Sequence, residues 1–334
     1  MNDPRAEAVR VGVSSTAVNL DSPGLRALAQ AGIELVRIGV KDSSAPAFLD
    51  IAGSCRALIA GAEPYPASAL AQLPNLGLLA RSGVGYDQID VPAASRLGIA
   101  VTITPGLNAD AVAEHTVALM LALLHRIPVY DARVRAGQWR DGRFFPEVRG
   151  SRVGVVGLGQ IGRGVARLVS ALGAEVHGHD PALDASLPVE SSIHLHASLE
   201  DLLRTVDIVT LHVPLVPSTQ GLLGAREFGL LRRGSYLVNA SRGGVVDQAA
   251  LISALGSGQL AGAALDVFVD EPPALDNPLL SMPQCVLSPH IAGFGEETIR
   301  AMSDLIAAQI SDVLAGRLPE GLISTITQVR PLPH

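Results

Sequence analysis

The chain has 334 residues, enough for about two domains, and its 48% hydrophobic and 17% charged residues bury sizeable cores and exclude disorder over most of its length. The formal charge is −7 and aromatic residues make up only 3%, so neither a nucleic acid nor an anionic membrane is expected as a partner. Lys41 is the sole lysine, which excludes a Gly-Lys-Ser/Thr phosphate loop, and Cys55 and Cys285 lack the paired spacing of a disulfide framework or a cysteine-rich zinc site.

The first hundred residues alternate short strand-like and helix-like runs. "VRVGVSS", "IELVRIG", "CRALIAG", "LGLLARSG" and "IAVTIT" read as strands. Between them, "SPGLRALAQAG" and "VPAASRLG" start at proline and stop at glycine, as capped helices do, and "APAFLDIAG" and "YPASALAQLP" also read as helices. Such alternation implies a parallel sheet covered on both faces. At Thr104-Pro105-Gly106 the pattern changes. "NADAVAEHTVALMLALLHRI" predicts one long helix, apolar on more than one face and therefore buried in a seam or interface. "PVYDARVRAG" predicts a second helix, and "QWRDGRFFPEVRG" a loop. From Ser151 the alternation restarts: "RVGVVG" (strand), "QIGRGVARLVSALG" (helix), "AEVHGHD" (strand), "SLEDLLRTV" (helix), "DIVTLHVP" and "SYLVNAS" (strands), "DQAALISALGSG" (helix), "LAGAALDVF" and "CVLSPH" (strands). "EETIRAMSDLIAAQISDVLAG" is a long amphipathic helix whose placement the pattern leaves open. No solenoid repeat or low-complexity tract is present. No charged-then-apolar leader opens the chain, and the longest apolar stretch, Thr116 to Leu124, is too short for a bilayer. A soluble, cytoplasmic protein is expected.

The strongest chemical signal is Gly157-x-Gly159-x-x-Gly162, between an apolar strand and a helix. Gly157 permits a tight turn, Gly159 lets the backbone approach a pyrophosphate, and Gly162 lets helix and strand pack closely. The helix start supplies N–H donors and a favourable dipole. Asp180, at the end of the next strand, is where an acid holds the ribose hydroxyls, and no arginine follows it in "HDPALD". NAD is therefore expected rather than NADP.

Three further residues stand at ends of later strands: Arg242 in "NASRGGVVD", Glu271 in "DEPP" and His290 in "SPH". Ligands of doubly wound sheets bind at those carboxyl ends. Hydride transfer to a carbonyl needs a proton partner, which histidine provides near neutral pH. A carboxylate beside it favours the imidazolium, and a guanidinium grips a substrate carboxylate with two hydrogen bonds. In the first unit, "ARSGVGYDQID" runs a strand into a glycine turn. The amides of Gly83, Val84 and Gly85, with Arg81 alongside, form a candidate anion nest. His177-x-His179 and His194-x-His196 lack a third ligand, so no metal is expected.

Taken in order and spacing, "RSGVGYDQID", "TPGLNADAVAEHTVALMLAL", "GLGQIG…HD", "LHVPLVPSTQGLL", "LVNASRGGVVD", "ALDVFVDEPP" and "SPHIAG" resemble the D-isomer-specific 2-hydroxyacid dehydrogenases over roughly residues 75 to 300. The resemblance implies an α/β fold of two doubly wound parallel-sheet domains, a flavodoxin-like substrate domain and a Rossmann NAD domain, with a cleft between them. It puts residues 1–104 and 296–334, including the last helix, in a discontinuous substrate domain. Residues 105–295 would form the NAD domain, with a dimerisation arm over 108–150 and hence a homodimer. His290 then matches the acid–base histidine, Glu271 its carboxylate partner and Arg242 the substrate arginine. Asp180 matches the ribose acid. Gly157, Gly159, Gln160, Ile161 and Gly162 match the turn over the pyrophosphate. Val213, Ala240, Ser241, Arg242, Asp266, His290 and Gly293 match the nicotinamide pocket, and Thr104 a hinge residue near the cofactor. Arg81, Gly83, Val84 and Gly85, with Arg242 and His290, would hold the substrate.

The implied activity is NAD-dependent hydride transfer between a D-2-hydroxyacid and its 2-keto acid. The Arg81 stretch is most similar to the phosphoglycerate dehydrogenase branch, whose substrate pair is D-3-phosphoglycerate and 3-phosphohydroxypyruvate. That branch's phosphate-gripping arginine falls at Asp141, so Arg140 or Arg143 would have to substitute. Glyoxylate or hydroxypyruvate reduction remains open, and so does a non-catalytic, NAD-sensing corepressor-like protein, which keeps the same Arg, Glu and His set.

Overall fold

The computed structural model describes residues 9–183 and 192–330. The chain divides into two compact units, one comprising residues up to Asn108 with those from Phe294 onward, the other Ala109–Gly293. These boundaries lie four and two residues from the expected 104/105 and 295/296, and the expected 1–104 and 296–334 extend at both termini beyond the described residues.

The first unit holds a five-stranded parallel sheet in the order β2-β1-β3-β4-β5, with β1 at Arg10–Val13, β2 at Glu34–Arg37, β3 at Ala57–Ala60, β4 at Leu78–Arg81 and β5 at Ala100–Thr102. That is the flavodoxin-like order. β3 reads Ala-Leu-Ile-Ala and every residue is buried, as expected of a strand covered on both faces. Helix α1 (Pro23–Gln30) begins where Ser22 Oγ accepts the Leu25 N–H at 3.3 Å, with proline in its first turn, where a missing N–H costs nothing. α2 (Pro46–Ala52), the single turn α3 (Ala67–Leu70) and α4 (Val91–Arg96) complete the alternation.

The final helix, α11 (Glu296–Leu314), packs in this unit on α1: a Cβ added at Gly24 would lie 2.8 Å from that of Ala307, and Asp304 Oδ1 accepts the Gly24 N–H at 2.8 Å. Its buried Gln309 accepts from the Thr102 hydroxyl and donates to the Ile103 and Glu320 carbonyls, so α11 stitches down the exit of β5.

The second unit holds seven parallel strands in the order β12-β11-β10-β9-β6-β7-β8. They are β6 (Arg152–Val156), β7 (Glu175–His179), β8 (Ile193–Leu195), β9 (Ile208–Leu211), β10 (Ser235–Asn239), β11 (Leu260–Leu265) and β12 (Cys285–Leu287). The order reverses between β6 and β9, the arrangement of a Rossmann sheet. α5 (Ala109–Leu124) and α7 (Gln160–Ala171) cover one face; α8 (Leu199–Thr205), α9 (Ala225–Leu230) and α10 (Gln248–Gly256) cover the other.

The long helix predicted from Asn108 stops at Leu124. Arg126 turns left-handed at φ +55°, and α6 (Ile127–Arg135) leaves at 59°, because Pro128 cannot donate to a continuing helix. Two short elements, β8 and α9, were absent from the sequence reading. Among the described residues no single helix is long and apolar enough to cross a membrane.

Candidate active site

The glycine turn is built by close approach. Gly157 has φ +92°, and a Cβ there would lie 2.5 Å from the His212 carbonyl oxygen at the end of β9. A Cβ at Gly162 would lie 1.9 Å from the Gly157 oxygen, so α7 can start here only over a bare glycine. Gly159 differs: among the described residues a Cβ there meets nothing within 4 Å, and no side chain caps α7. Among the described residues nothing therefore occupies the space before the first-turn amides at the strand order's switch point, which fits a dinucleotide's pyrophosphate. Asp180, just beyond β7, accepts the Leu158 N–H at 2.8 Å on one carboxylate oxygen and the Ala182 N–H at 2.9 Å on the other. The acid is thereby fixed to the glycine turn itself, with lone pairs left for vicinal hydroxyls.

Three neighbouring strand ends are tied in series. The Asp266 N–H donates to the Asn239 carbonyl at 2.9 Å, and the His290 N–H donates to the Asp266 carbonyl at 2.8 Å. At the first end, Asn239 Oδ1 accepts from the Ser241 amide and hydroxyl, and its Nδ2 donates to the Arg242 carbonyl at 2.9 Å. Arg242 gives one N–H to the Ser241 carbonyl at 2.8 Å. Gly243 presses this loop onto the next: a Cβ there would lie 2.0 Å from the Phe268 carbonyl. At the third end, His290 Nδ1 meets Glu271 Oε2 at 2.6 Å, while Glu271 Oε1 accepts the Phe268 N–H at 3.0 Å. Glu271 precedes a cis proline, Pro272. With Nδ1 committed to the carboxylate, Nε2 is the ring nitrogen left for a further proton exchange.

Asp266, expected at the nicotinamide pocket, is completely buried and serves the polypeptide. Oδ1 accepts the Ser288 hydroxyl at 2.6 Å and the Ile291 N–H at 3.0 Å; Oδ2 accepts the Ala292 N–H at 2.9 Å. Burial alone would raise its carboxyl, but His115 beside it and the hydrogen bonds from Ser288, Ile291 and Ala292 outweigh burial and hold it below the ordinary value. Val213, Ala240, Ser241 and Gly293 are half-buried at or just beyond strand ends, as is Ile161 in the first turn of α7; Gln160 is exposed.

In the first unit, the Gly83 N–H donates to the Arg81 carbonyl at 3.0 Å, so it does not join the expected nest; only the Val84 and Gly85 amides qualify. Gly83 itself turns at φ +136°. Arg81 folds back on its own loop, giving Nε to the Gly85 carbonyl at 3.0 Å and Nη1 to the Ser82 carbonyl, so it braces the turn rather than extending from it. Thr104 is fully buried and its N–H donates to the Gly83 carbonyl at 3.0 Å, while its hydroxyl finds no partner among the described residues.

Sequence reading missed a buried acid near the switch point of this sheet. Glu63 Oε1 accepts from the Ser14 and Tyr65 hydroxyls and the Gly61 N–H; burial raises its carboxyl, yet these donors bring it below the usual range. It also missed His115, 173 residues from the Ser288 it touches. In the loop after α6, Asp141 accepts the Tyr130 hydroxyl at 2.9 Å and lies 3.5 Å from Arg143 and 3.9 Å from Arg133; Arg140 is exposed. His177 and His196 meet each other at 2.9 Å, and among the described residues no three metal-ligating side chains converge.

Residues 117–292 match the family described as D-isomer specific 2-hydroxyacid dehydrogenase, NAD binding domain. A D-3-phosphoglycerate dehydrogenase of Methanocaldococcus jannaschii is 38% identical over 75% of this chain, which spans only 48% of that relative's length. A glyoxylate reductase of Thermofilum pendens is 40% identical over 78% of both chains. Among solved structures, an NADPH-dependent glyoxylate/hydroxypyruvate reductase from Sinorhizobium meliloti, in complex with NADP and malonate, superposes with a TM-score of 0.82 at 31% identity, covering 97% of this chain and 99% of that one.

Proposed function

The chain belongs to the D-isomer-specific 2-hydroxyacid dehydrogenase family, and from that premise we propose that it reduces 2-keto acids to D-2-hydroxyacids, or the reverse, with NAD as cofactor. The observation that carries the reading is the 2.6 Å contact of His290 Nδ1 with Glu271, set in series with the Arg242 loop at neighbouring strand ends. When bound, the nicotinamide supplies the hydride for the keto carbon. His290 gives the proton at Nε2 to the carbonyl oxygen, and Glu271, oriented by the Phe268 N–H, stabilises the imidazolium. Arg242 binds the substrate carboxylate. Asp180 takes the ribose hydroxyls, and its charge disfavours a 2′-phosphate, which supports NAD over NADP.

One observation favours an unphosphorylated substrate. Where the phosphoglycerate dehydrogenase branch places a phosphate-gripping arginine, this chain has the carboxylate of Asp141, with Arg143 turned towards it. Glyoxylate or hydroxypyruvate thus suits the chain better than 3-phosphohydroxypyruvate. We also infer a homodimer through the segment following α5. Ile127, Val134, Trp139 and Phe144 are 55%, 55%, 72% and 98% exposed there, beside a cavity of about 270 Å³ lined by Leu123, Leu124, Phe145 and Tyr236. A cytoplasmic location agrees with the unpaired Cys55 and Cys285. The test is NADH oxidation with glyoxylate, hydroxypyruvate, 3-phosphohydroxypyruvate and bulkier keto acids. Turnover on the unphosphorylated acids supports the reading. Tight NADH binding without turnover on any of them replaces it with a sensor.

A further inference from the structure

We propose that His115 is a positioning residue for the proton-transfer histidine, acting on His290 through Ser288 and Asp266. The inference rests on the assignment of His290 as proton donor. His115 lies on α5, and its Nε2 is 3.2 Å from Ser288 Oγ and 3.5 Å from Asp266 Oδ1. The Ser288 hydroxyl gives its proton to Asp266 Oδ1 at 2.6 Å, so it presents only lone pairs to His115. His115 therefore carries a proton on Nε2 and donates it to Ser288. That bond fixes the serine rotor toward Asp266.

Asp266 in turn clamps the backbone on both sides of His290. Its carbonyl takes the His290 N–H, and its carboxylate takes the Ile291 and Ala292 N–H groups. The clamp has work to do, because His290 sits at φ +54°, one of two non-glycine residues with positive φ among those described. Such a conformation persists only where the surroundings over-determine it. A carboxylate with no solvent exposure keeps its orientation only while its donors remain. Withdrawing His115 frees Ser288, loosens the carboxylate and lets the His290 backbone relax. The ring then leaves its setting against Glu271 without any loss from the cofactor turn. α5 thus ties the site to the helix that leads into the exposed apolar segment.

The test compares His115→Phe, which fills the space without a donor, with His115→Gln, which restores an N–H. In the purified full chain, His115→Phe should lower kcat about tenfold to a hundredfold, the scale of an ångström's misplacement of a reacting group. KM for the keto acid and the Kd for NADH should stay within about twofold, because uniform binding is untouched. His115→Gln should recover most of kcat. Amide hydrogen exchange at Ile291 and Ala292, read without cofactor, should accelerate in His115→Phe and return towards wild type in His115→Gln. Wild-type kcat and unchanged exchange in His115→Phe would overturn the proposal, as would equal damage in both variants. If His290→Ala itself kept full turnover, the proton-donor assignment would fall instead, and the exchange rates at Ile291 and Ala292 alone would decide the positioning role.

Discussion

Replacing Glu271 by glutamine removes one charge and almost nothing else. The amide side chain would still present an oxygen to the Phe268 N–H, now 3.0 Å from Glu271 Oε1, so the loop keeps its anchor. The loss falls on the 2.6 Å contact with His290 Nδ1. A charge-assisted hydrogen bond is worth about 1.5–3 kcal/mol. The two side chains are 33% and 32% exposed, so solvent screening reduces that to about 1–2 kcal/mol. At about 1.4 kcal/mol per decade, Glu271→Gln should lower kcat for keto-acid reduction by about 5- to 30-fold. Steady-state NADH oxidation measures this, and fluorescence titration should show NADH affinity unchanged. Wild-type kcat in Glu271→Gln would refute the reasoning. A matching loss of NADH affinity would show that the residue supports the fold instead.

Asp180→Ser removes the charge set against a 2′-phosphate and should raise the NADPH/NADH ratio of kcat/KM by at least tenfold, worth about 1.4 kcal/mol; a wild-type enzyme that already prefers NADPH would contradict the ribose assignment. Gly162→Ala forces a Cβ to within 1.9 Å of the Gly157 carbonyl, so thermal unfolding should show a loss of about 1–3 kcal/mol, with weaker NADH binding. Burial pushes His212 down to about 3, and its Nδ1 is sealed without a partner among the described residues. The unfolded histidine takes a proton near 6.5, so this residue's stabilising contribution is complete above that pH. It declines by about 1.4 kcal/mol per unit as pH falls towards 3, and His212→Gln should flatten the fall of Tm over that range.

The first unit's sheet was legible because its strands are short apolar runs between proline-started and glycine-stopped helices, where period and punctuation agree, and most strands of the second were legible as apolar runs alternating with helix-period runs. The pattern left the placement of α11 open, since an amphipathic helix reports an apolar face and not its partner; Gly24, Ala307 and Gln309 supply that partner. α9 escaped notice because six residues that include Gly229 carry no period; it depends on burial of Phe228 and on Glu227 taking the Gly224 N–H. β8 has only three residues, two of them exposed on an edge. The tight geometry of the glycine turn and the place of Asp180 beside it were legible because both are local in the chain. The Gly83 amide was misjudged, since nothing in "RSGVG" shows that the Arg81 carbonyl captures it. His115, Ser288 and Asp266 were invisible as a group, because only folding brings α5 against the ends of β11 and β12.

The most direct measurement is single-turnover NADH oxidation by His290→Ala with a keto acid that the wild type reduces, paired with NADH binding to the same variant. Removing a positioned proton donor should slow turnover by about 10²- to 10⁴-fold while the Kd for NADH stays within about twofold. Turnover at the wild-type rate would contradict the account, because no proton would then need to pass through the ring that Glu271 holds.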